Sequence, residues 1–374
     1  VRNVQKFNFL LHDDTTKTAP LLNMADADGF GKVSADNSDV KVAWANVTAD
    51  PSRITTAVDA ATVQGKNTYT LMRGANNALK FSDYAARYDT HGGVYETGLR
   101  TDTGTNTATE VLYEVNRFKD GRVTYTAASA GDALGGYSAF GNKTEGNKLT
   151  IEGVTGAIAA AYGAQTAGTA GDSVGNAVTL AGTGTGAVTN VYGGLADGNK
   201  GKAQQNAAVI GGGTVTNVYG GMATKADGTA TGNKVFVYNG TTTNVYGGAV
   251  NDVTGAATEN LAEVRGGTVT GVIAGARAAY DTAATTHKLS NKNTVRLGTE
   301  NAARALPLNI GNTSVYGTQY HDTATGAELT FAAGSDAIAG NTLNVTTTGV
   351  TAKKVRNFEA YTFTIGNNFQ NNDE

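Results

Sequence analysis

One hexapeptide, TNVYGG, recurs along the middle of the chain, and its interval limits the folds that the chain can adopt. Its copies are 27 residues apart and begin at Thr189, Thr216, Thr243 and, in the degenerate form TGVIAGA, Thr270. The upstream half of the unit keeps the same interval at Asn206, Asn233 and Asn260, with looser copies around Asn147, Asn176, Asn293 and Asn341. A unit this short cannot enclose a core alone, so successive units must stack and bury apolar surface between them.

Apolar positions alternate within the first part of each unit. Two rows of apolar residues lie two positions apart: Ala208, Val235 and Ala262, followed by Ile210, Val237 and Val264. The residues between these rows are as different as Val209, Phe236 and Glu263, a mixture that only a solvent-facing surface tolerates. A period of two predicts a strand with inward apolar rows, and the frequent glycines argue against a helix-pair solenoid. The repeat therefore predicts an all-β fold, a right-handed parallel β-helix.

Equivalent residues of a β-helix stack one turn above another, which gives two features of TNVYGG a structural interpretation. The asparagines at its second position are predicted to form a ladder of hydrogen-bonded amides, spaced about 4.8 Å apart along the axis. These ladder residues are Asn190, Asn217 and Asn244. The glycine pairs are predicted to permit positive φ at the following corner. The pairs are Gly193–Gly194, Gly220–Gly221 and Gly247–Gly248.

The repeat covers only part of the chain, so we divide the sequence into three segments. We expect a non-repetitive β module over residues 1–130, the parallel β-helix over 131–354, and the start of another module over 355–374. The third segment is assigned because VRNVQKFNFLL, from residue 1, resembles VRNFEAYTFTI, from residue 355, at an offset of 354 residues. We therefore expect one unit of a longer tandem array, followed by the beginning of the next unit.

The first segment contains a hairpin signal. Val111, Tyr113 and Val115 alternate with other residues before the dipeptide Asp120-Gly121, and alternation resumes at Val123. Asp-Gly between two alternating runs predicts a two-residue β-hairpin.

Composition and charge exclude several classes of partner. The chain carries 29 Lys and Arg against 32 Asp and Glu, without the basic cluster that nucleic acid or anionic lipid requires. It has no Cys, so disulfides and Cys-based zinc sites are excluded. A hydrophobic content of 40% favours a folded chain, and no apolar stretch approaches the roughly 20 residues of a membrane span. No signal peptide opens the sequence, so we expect that it was removed or that the chain is an internal fragment.

Three short motifs suggest chemistry, and each is better interpreted as a turn or loop. GDSVG would make Ser173 a nucleophile, but that requires a strand running into a helix, and the surrounding residues are Gly-rich. DADGFG would offer Asp26 and Asp28 to calcium, yet neither alignment of the loop supplies the required Glu. Asp336 lies in a single copy of a Gly-Asp pattern that binds calcium only in tandem. We therefore predict no metal site and no cofactor.

An enzyme on this fold would need clustered carboxylates, as in the β-helical polysaccharide lyases and hydrolases. The acidic residues of the regular section are Asp197, Asp227, Asp252, Glu259 and Glu263. They fall in inserts or outward positions, and no two are separated by the repeat length. We therefore predict no catalytic residue and no enzymatic activity, with a polysaccharide-acting enzyme as the alternative.

The candidate ligand-binding residues form a tyrosine row one position after Val191, Val218 and Val245. The row consists of Tyr192, Tyr219 and Tyr246, with Tyr162 and Tyr316 as possible extensions. If the valines point inward, alternation turns the tyrosines outward, where they would form an aromatic strip for sugars or a partner β-surface. If a nearby turn reverses the phase, the tyrosines stack in the core instead. Phe236 and Tyr238 raise the same question.

At TNVYGG and at runs such as GNKVFVYNGTTTNVYGGAV, the sequence resembles passenger regions of Gram-negative autotransporters of the pertactin-like, adhesin-rich group. The resemblance covers nearly the whole chain and is strongest from about residue 140 to 280. It implies type V secretion, an extracellular position at the bacterial surface, and anchoring through a C-terminal outer-membrane barrel outside this sequence. It also implies adhesion, autoaggregation or biofilm formation.

Together these observations predict a non-enzymatic adhesin module, a rigid rod that mediates attachment or self-association through many weak contacts. The expected partner is a host surface protein, a glycan, or an identical passenger on a neighbouring cell. The alternative is a stalk that only projects a distal head.

Overall fold

The computed structural model describes residues 7–11, 19–24, 40–44, 66–74, 79–80, 87–91, 93–103, 107–125, 132–153, 156–182, 186–284, 287–299 and 308–364. The predicted all-β fold is confirmed: these residues form 36 strands, and their one helix is a 3-10 turn at Asp336–Ile338. The chain divides into two compact units, Val1–Arg117 and Phe118–Glu374.

The described residues of the first unit form nine strands. They are β1 (Phe7–Leu11), β2 (Leu22–Met24), β3 (Val40–Trp44), β4 (Lys66–Gly74), β5 (Leu79–Lys80), β6 (Arg87–His91), β7 (Tyr95–Thr101), β8 (Thr107–Ala108) and β9 (Glu110–Arg117). β1 and β3 pair in parallel. A five-stranded sheet has the order β2-β4-β9-β7-β6 and is antiparallel except at β2-β4, and β5 pairs with β8.

The second unit is a parallel β-solenoid built from three sheets. The first sheet has nine strands in the order β10 (Arg122–Tyr125), β14 (Lys148–Glu152), β18 (Ala177–Ala181), β22 (Ala207–Ile210), β25 (Lys234–Val237), β28 (Leu261–Val264), β30 (Thr294–Leu297), β34 (Thr342–Val345) and β36 (Ala360–Phe363). Between two neighbouring strands of this sheet, the chain passes through strands of the second sheet, and in the first turns also through a strand of the third.

The second and third sheets complete each turn of the solenoid. The second contains β11 (Asp132–Leu134), β12 (Tyr137–Ser138), β15 (Ile158–Tyr162), β16 (Gln165–Ala167), β19 (Ala187–Tyr192), β20 (Leu195–Asp197), β23 (Thr214–Ala223), β26 (Thr241–Val250), β29 (Gly267–Tyr280), β31 (Leu308–Asn309), β32 (Ser314–Asp322), β33 (Glu328–Leu329) and β35 (Lys354–Arg356). The third contains β13 (Thr144–Glu145), β17 (Ser173–Val174), β21 (Lys202–Gln204), β24 (Thr229–Thr231) and β27 (Ala256–Thr258). In the described part of this unit, every strand pair is parallel except β32 with β33.

The 27-residue interval is one turn of this solenoid. Ala208 pairs with Val235, and Val235 pairs with Ala262, so residues one repeat apart are direct neighbours in the first sheet. The interval grows to 33 residues between Asn260 and Asn293 and to 48 between Asn293 and Asn341. The register is kept across these longer steps, because the added residues lie between strands.

The predicted inward rows of the first sheet form the main core. All six residues are fully buried: Ala208, Val235, Ala262, Ile210, Val237 and Val264. The valines that precede the tyrosines close this core from the second sheet, and Val191, Val218 and Val245 are also fully buried. Small β-branched and alanine side chains suit this position because facing sheets leave little volume inside each turn.

One expectation about the start of the solenoid needs correction. The predicted hairpin at Asp120-Gly121 is wrong, because β10 pairs in parallel with β14 instead of antiparallel with β9. Asp120 does adopt the left-handed conformation expected of a turn, with φ of 53°, but the turn leads into the first sheet. At the other end, β35 pairs with β32 and β36 pairs with β34, so residues of the segment 355–374 extend the second and first sheets.

Candidate interaction surface

The tyrosine row lies on the second sheet, on the face opposite the main core. Val191, Val218 and Val245 point into that core, and the tyrosine that follows each of them belongs to a separate apolar cluster. Exposure decreases along the row: Tyr192 is half-buried, Tyr219 is 9% exposed and Tyr246 is 5% exposed. The tyrosines therefore face away from the main core without forming an open strip.

The rings of the row stack on one another. Ring centroids are 5.1 Å apart between Tyr162 and Tyr192 and between Tyr192 and Tyr219, and 5.2 Å apart between Tyr219 and Tyr246. The first two pairs are within 9° of parallel. Each inner ring therefore has both faces covered by its neighbours. A sugar that stacks on a tyrosine needs an open ring face, and Tyr192 and Tyr219 offer only an edge.

A second layer packs beside the stacked rings. Leu195, Met222 and Ala249 lie just beyond the glycine pairs, are neighbours of one another in the sheet, and join the tyrosine cluster. At the far end of the row, the Tyr316 hydroxyl donates to Glu328 Oε2 at 2.7 Å. The tyrosine row is thus an apolar column, and Leu195, Met222 and Ala249 pack against its side.

Burial also sets the ionisation of the column. Desolvation raises the pKa of Tyr162 and Tyr316 to about 12 and raises the pKa of Tyr192 and Tyr246 still further. Loss of solvent raises the pKa of Tyr219 in the same way. These hydroxyls remain protonated at neutral pH, so the column carries no charge that could attract a cation.

The predicted asparagine ladder consists of two side-chain hydrogen bonds. Asn217 Nδ2 donates to Asn190 Oδ1, and Asn244 Nδ2 donates to Asn217 Oδ1, both at 2.9 Å. The neighbours of this ladder in the sheet are Ala160 and Val272, so it spans three turns and stops. Its members are half-buried, on the same side of the sheet as solvent-facing residues.

A second, longer asparagine column lies inside the solenoid, and sequence reasoning missed its role. It consists of Asn147, Asn176, Asn206, Asn233, Asn260, Asn293 and Asn341, each at most 1% exposed. Each Oδ1 from Asn176 onward accepts the backbone N–H of the preceding asparagine at 2.9–3.0 Å. The first Oδ1, on Asn147, accepts the Gly121 N–H at 2.8 Å.

The amide groups of this column make further bonds to the third sheet. Asn206 Nδ2 donates to Ser173 O, and Asn233 Nδ2 donates to Ala203 O, each at 2.8 Å. Each of the seven asparagines therefore joins consecutive turns, and the five from Asn176 to Asn293 also bond to the third sheet. The sequence does contain a signal for this column, because these asparagines recur at the repeat interval. The recurrence does not by itself indicate burial, because asparagine is usually a surface residue.

The glycine pairs make room for the buried asparagine column. The prediction that they adopt positive φ is wrong. None of the six glycines has positive φ. A Cβ on Gly221 would overlap Asn233 Oδ1, and a Cβ on Gly220 would overlap the Gly247 carbonyl. The absence of a side chain is therefore required for close approach.

Positive φ occurs instead at the residue before each buried asparagine. These residues are Gly146, Gly175, Gln205, Gly232, Glu259, Lys292 and Gly340, with φ between 54° and 68°. The left-handed residue turns the chain from the third sheet into the first.

The structure describes two of the three motifs that suggested chemistry. Ser173 is fully buried in a strand, and Asn176 Nδ2 donates to its Oγ at 3.0 Å, so it cannot meet a substrate. Asp336 opens the 3-10 turn, and Asp26 and Asp28 lie outside the described residues. No group of three or more His, Cys, Asp or Glu in the described part of the chain could hold a metal ion.

Two acidic residues of the regular section, Glu263 and Asp227, form ion pairs. Glu263, on the outer face of the first sheet, is 1% exposed and ion-paired with Arg265 and with Arg296, the latter at 3.0 Å. The Arg265 guanidinium also lies 4.9 Å from the Tyr238 ring centroid, a cation–π contact. Asp227 pairs with Lys288 at 2.8 Å. These carboxylates are therefore held by basic side chains of neighbouring elements.

Comparisons with protein-family models, with curated proteins and with solved structures found no match to this chain. Within the described residues, no helix has the length and apolar character needed to cross a membrane.

Proposed function

We propose that this chain is a non-enzymatic rod module of a bacterial cell-surface adhesin, and that it holds the binding parts of that protein away from the cell. The cell-surface setting rests on the resemblance of the repeats to autotransporter passengers. The rod role rests on the way the solenoid uses its recurrent polar and aromatic residues.

The observation that carries this proposal is the inward-facing asparagine column. An unsatisfied buried amide costs about 1 to 3 kcal/mol, so seven consecutive buried asparagines are tolerated only because each is hydrogen-bonded to the next turn. The repeated residues thereby stabilise the contact between turns. Hydrogen bonds that tie each turn to the next in this way suit a rod, because the stability of a solenoid depends on the interfaces between neighbouring units.

The stacked tyrosines support the same role. Their faces are covered by one another and their edges by Leu195, Met222 and Ala249, so the row adds packing between turns. It offers a ligand far less area than an exposed aromatic strip would.

Attachment through the solenoid itself is the second candidate, and the half-buried end of the row favours it. Tyr162 and Tyr192 keep partly exposed edges that could contact a glycan or another solenoid. Their hydroxyls would act as hydrogen-bond donors, since their pKa values are raised.

One experiment separates the two candidates. The purified chain is applied to a glycan array and its self-association is measured by sedimentation, together with the Tyr162→Phe/Tyr192→Phe variant, which keeps the stack and removes the hydroxyls. A rod module gives a folded monomer without specific glycan binding. Specific binding or association that falls at least about tenfold in the variant would replace the rod proposal with direct adhesion.

A further inference from the structure

Among the described residues, β36 is the last strand of the first sheet, and its inward-facing side chains are exposed. Tyr361 pairs with Leu343 and Phe363 with Val345, so these aromatic residues continue the two inward rows of the first sheet. Leu343 is 5% exposed, but Tyr361 is 52% exposed and Phe363 is 68% exposed. The outer face of a solenoid end that contacts water is normally polar, whereas Tyr361 and Phe363 are aromatic.

The outer edge of β36 also carries backbone groups directed away from the solenoid. The amides of Ala360 and Thr364 donate to Asn341 O at 3.1 Å and to Val345 O at 3.0 Å. In a parallel sheet, alternate residues bond opposite neighbours, so the amides of Tyr361 and Phe363 point to the other edge. Within the described residues, β36 pairs with β34 alone. An open apolar edge of this kind is a template for another strand.

The sequence identifies which strand fits this edge. Residues 355–365 are the second copy of residues 1–11, which places Tyr361 and Phe363 at the positions of Phe7 and Phe9. In the first copy the corresponding strand, β1, pairs in parallel with β3, in the register Phe7 to Val40 and Phe9 to Val42. The two copies thus show two different pairings of one strand type: β36 with the strand before it and β1 with a strand after it.

We propose that β36 is an end-to-end joint that accepts a second copy of this module. In the joint, residues 355–365 take the place of residues 1–11 of the second copy, and that copy's Val40–Trp44 pairs along the outer edge of β36. Tyr361 then lies opposite the second copy's Val40, and Phe363 opposite its Val42. The first sheet continues from one module into the next without a linker. This inference extends the proposed rod function, because the joint lengthens the rod.

The test uses two complete chains fused through the shared strand. Residues 1–365 are followed directly by residues 12–374 of a second copy, so that one segment serves both modules. A control fusion joins two full chains by a flexible Gly-Ser linker of about 20 residues, which allows the modules to fold separately. Hydrogen exchange is measured at Tyr361 and Phe363 in the single chain and in both fusions.

The joint predicts that these two amides exchange at least about tenfold more slowly in the shared-strand fusion than in the single chain. It also predicts that Tyr361→Lys/Phe363→Lys lowers the thermal midpoint of the shared-strand fusion and leaves that of the single chain nearly unchanged. Thr362→Lys, on the intervening position of the same strand, should alter neither protein.

Two results would overturn the proposal. One is equal exchange at Tyr361 and Phe363 in the single chain and the shared-strand fusion. The other is a second copy that folds behind the flexible linker but not behind the shared strand. Both results concern the joint alone, whereas the glycan and sedimentation assay concerns the role of the rod, so either idea can fail while the other stands.

Discussion

At the scale of single residues, the buried asparagines couple each turn of the solenoid to the next. A turn without its asparagine would leave the backbone N–H of the preceding asparagine without its acceptor and would remove one of the two acceptors of that asparagine's Nδ2, at buried positions. The half-buried ladder of Asn190, Asn217 and Asn244 is different, because its amides join only to one another and lie beside solvent.

We therefore expect Asn233→Ala to lower the free energy of unfolding by about 1 to 3 kcal/mol, since it removes the acceptor of the Asn206 backbone N–H and one of the two acceptors of Asn206 Nδ2. Asn244→Ala, one strand later in the same repeat, should cost about 0.5 to 1 kcal/mol, as water replaces the lost bond. Urea unfolding of both variants measures the difference. Equal costs would contradict the distinction between the inner column and the outer ladder.

Gly221 makes room for that column, and a methyl group there should be tolerated poorly. Gly221→Ala is expected to cost about 1 to 3 kcal/mol, because its Cβ would overlap the Asn233 amide. Gly311→Ala is the matched control, because nothing lies within 4 Å of a Cβ at that position. Thermal unfolding should separate the two variants, and a harmless Gly221→Ala would mean that the column can shift aside.

At the scale of elements, the tyrosine column is a buried apolar layer whose protonation depends on the fold. In the unfolded chain these phenols ionise near their ordinary pKa of 10.0, whereas burial holds the folded pKa values at about 12 or above. Their contribution to stability is therefore complete below pH 10 and is lost as the pH rises through the folded pKa values.

We expect alkaline titration followed by tyrosinate absorbance to show delayed ionisation of these residues, with loss of β-sheet circular dichroism over the same range, from about pH 10 to 12 and beyond. Replacing Tyr219 by Phe should remove one late-titrating group and raise the pH at which the sheet signal is lost. Ionisation of the whole column near pH 10 with an intact sheet signal would show that the column is open to water.

The elements also show how far the sequence could predict the structure. The 27-residue interval specified strands, parallel pairing and the inward rows at Ala208 and Ile210, because stacking forces equivalent residues into register. It could not reveal that Asp120-Gly121 leads into a parallel strand, since the same local pattern suits a hairpin and only the distant partner β14 decides. The roles of Gly221 and Asn233 likewise depend on contact between separate parts of the turn.

For the candidate site, the sequence predicts the side of the sheet on which the tyrosines lie but not how exposed their side chains are. Alternation after Val218 correctly turns Tyr219 away from the main core. The sequence does not reveal that Met222 covers it, because that contact depends on how the chain bends at the intervening glycines.

At the scale of the whole solenoid, the turn is an interchangeable unit. Asn206 and Asn233 occupy equivalent positions 27 residues apart, and the sheets keep their register across that step. Inserting one complete unit should therefore extend the solenoid without disturbing its neighbours.

We expect a chain in which residues 206–232 are duplicated to fold cooperatively and to lengthen by about 4.8 Å, the separation of adjacent strands. Small-angle scattering measures the length and thermal unfolding measures the stability. A duplication that omits Gly232 breaks the phase and exchanges inward for outward residues, so it should destabilise the chain severely. If both insertions behave alike, the unit is not a single turn.

The seven-asparagine column has a direction. Every backbone N–H from Asn147 to Asn293 in the column donates to the Oδ1 of the next asparagine toward the carboxyl terminus, so this set of bonds resembles a row of molecules in a crystal, all aligned one way. Each completed layer presents the same lattice site to the next layer, and a layer added upside down would find no partner. Folding of this unit can therefore proceed as seeded growth, in which the hardest step is the first layer and each later layer copies the one before it.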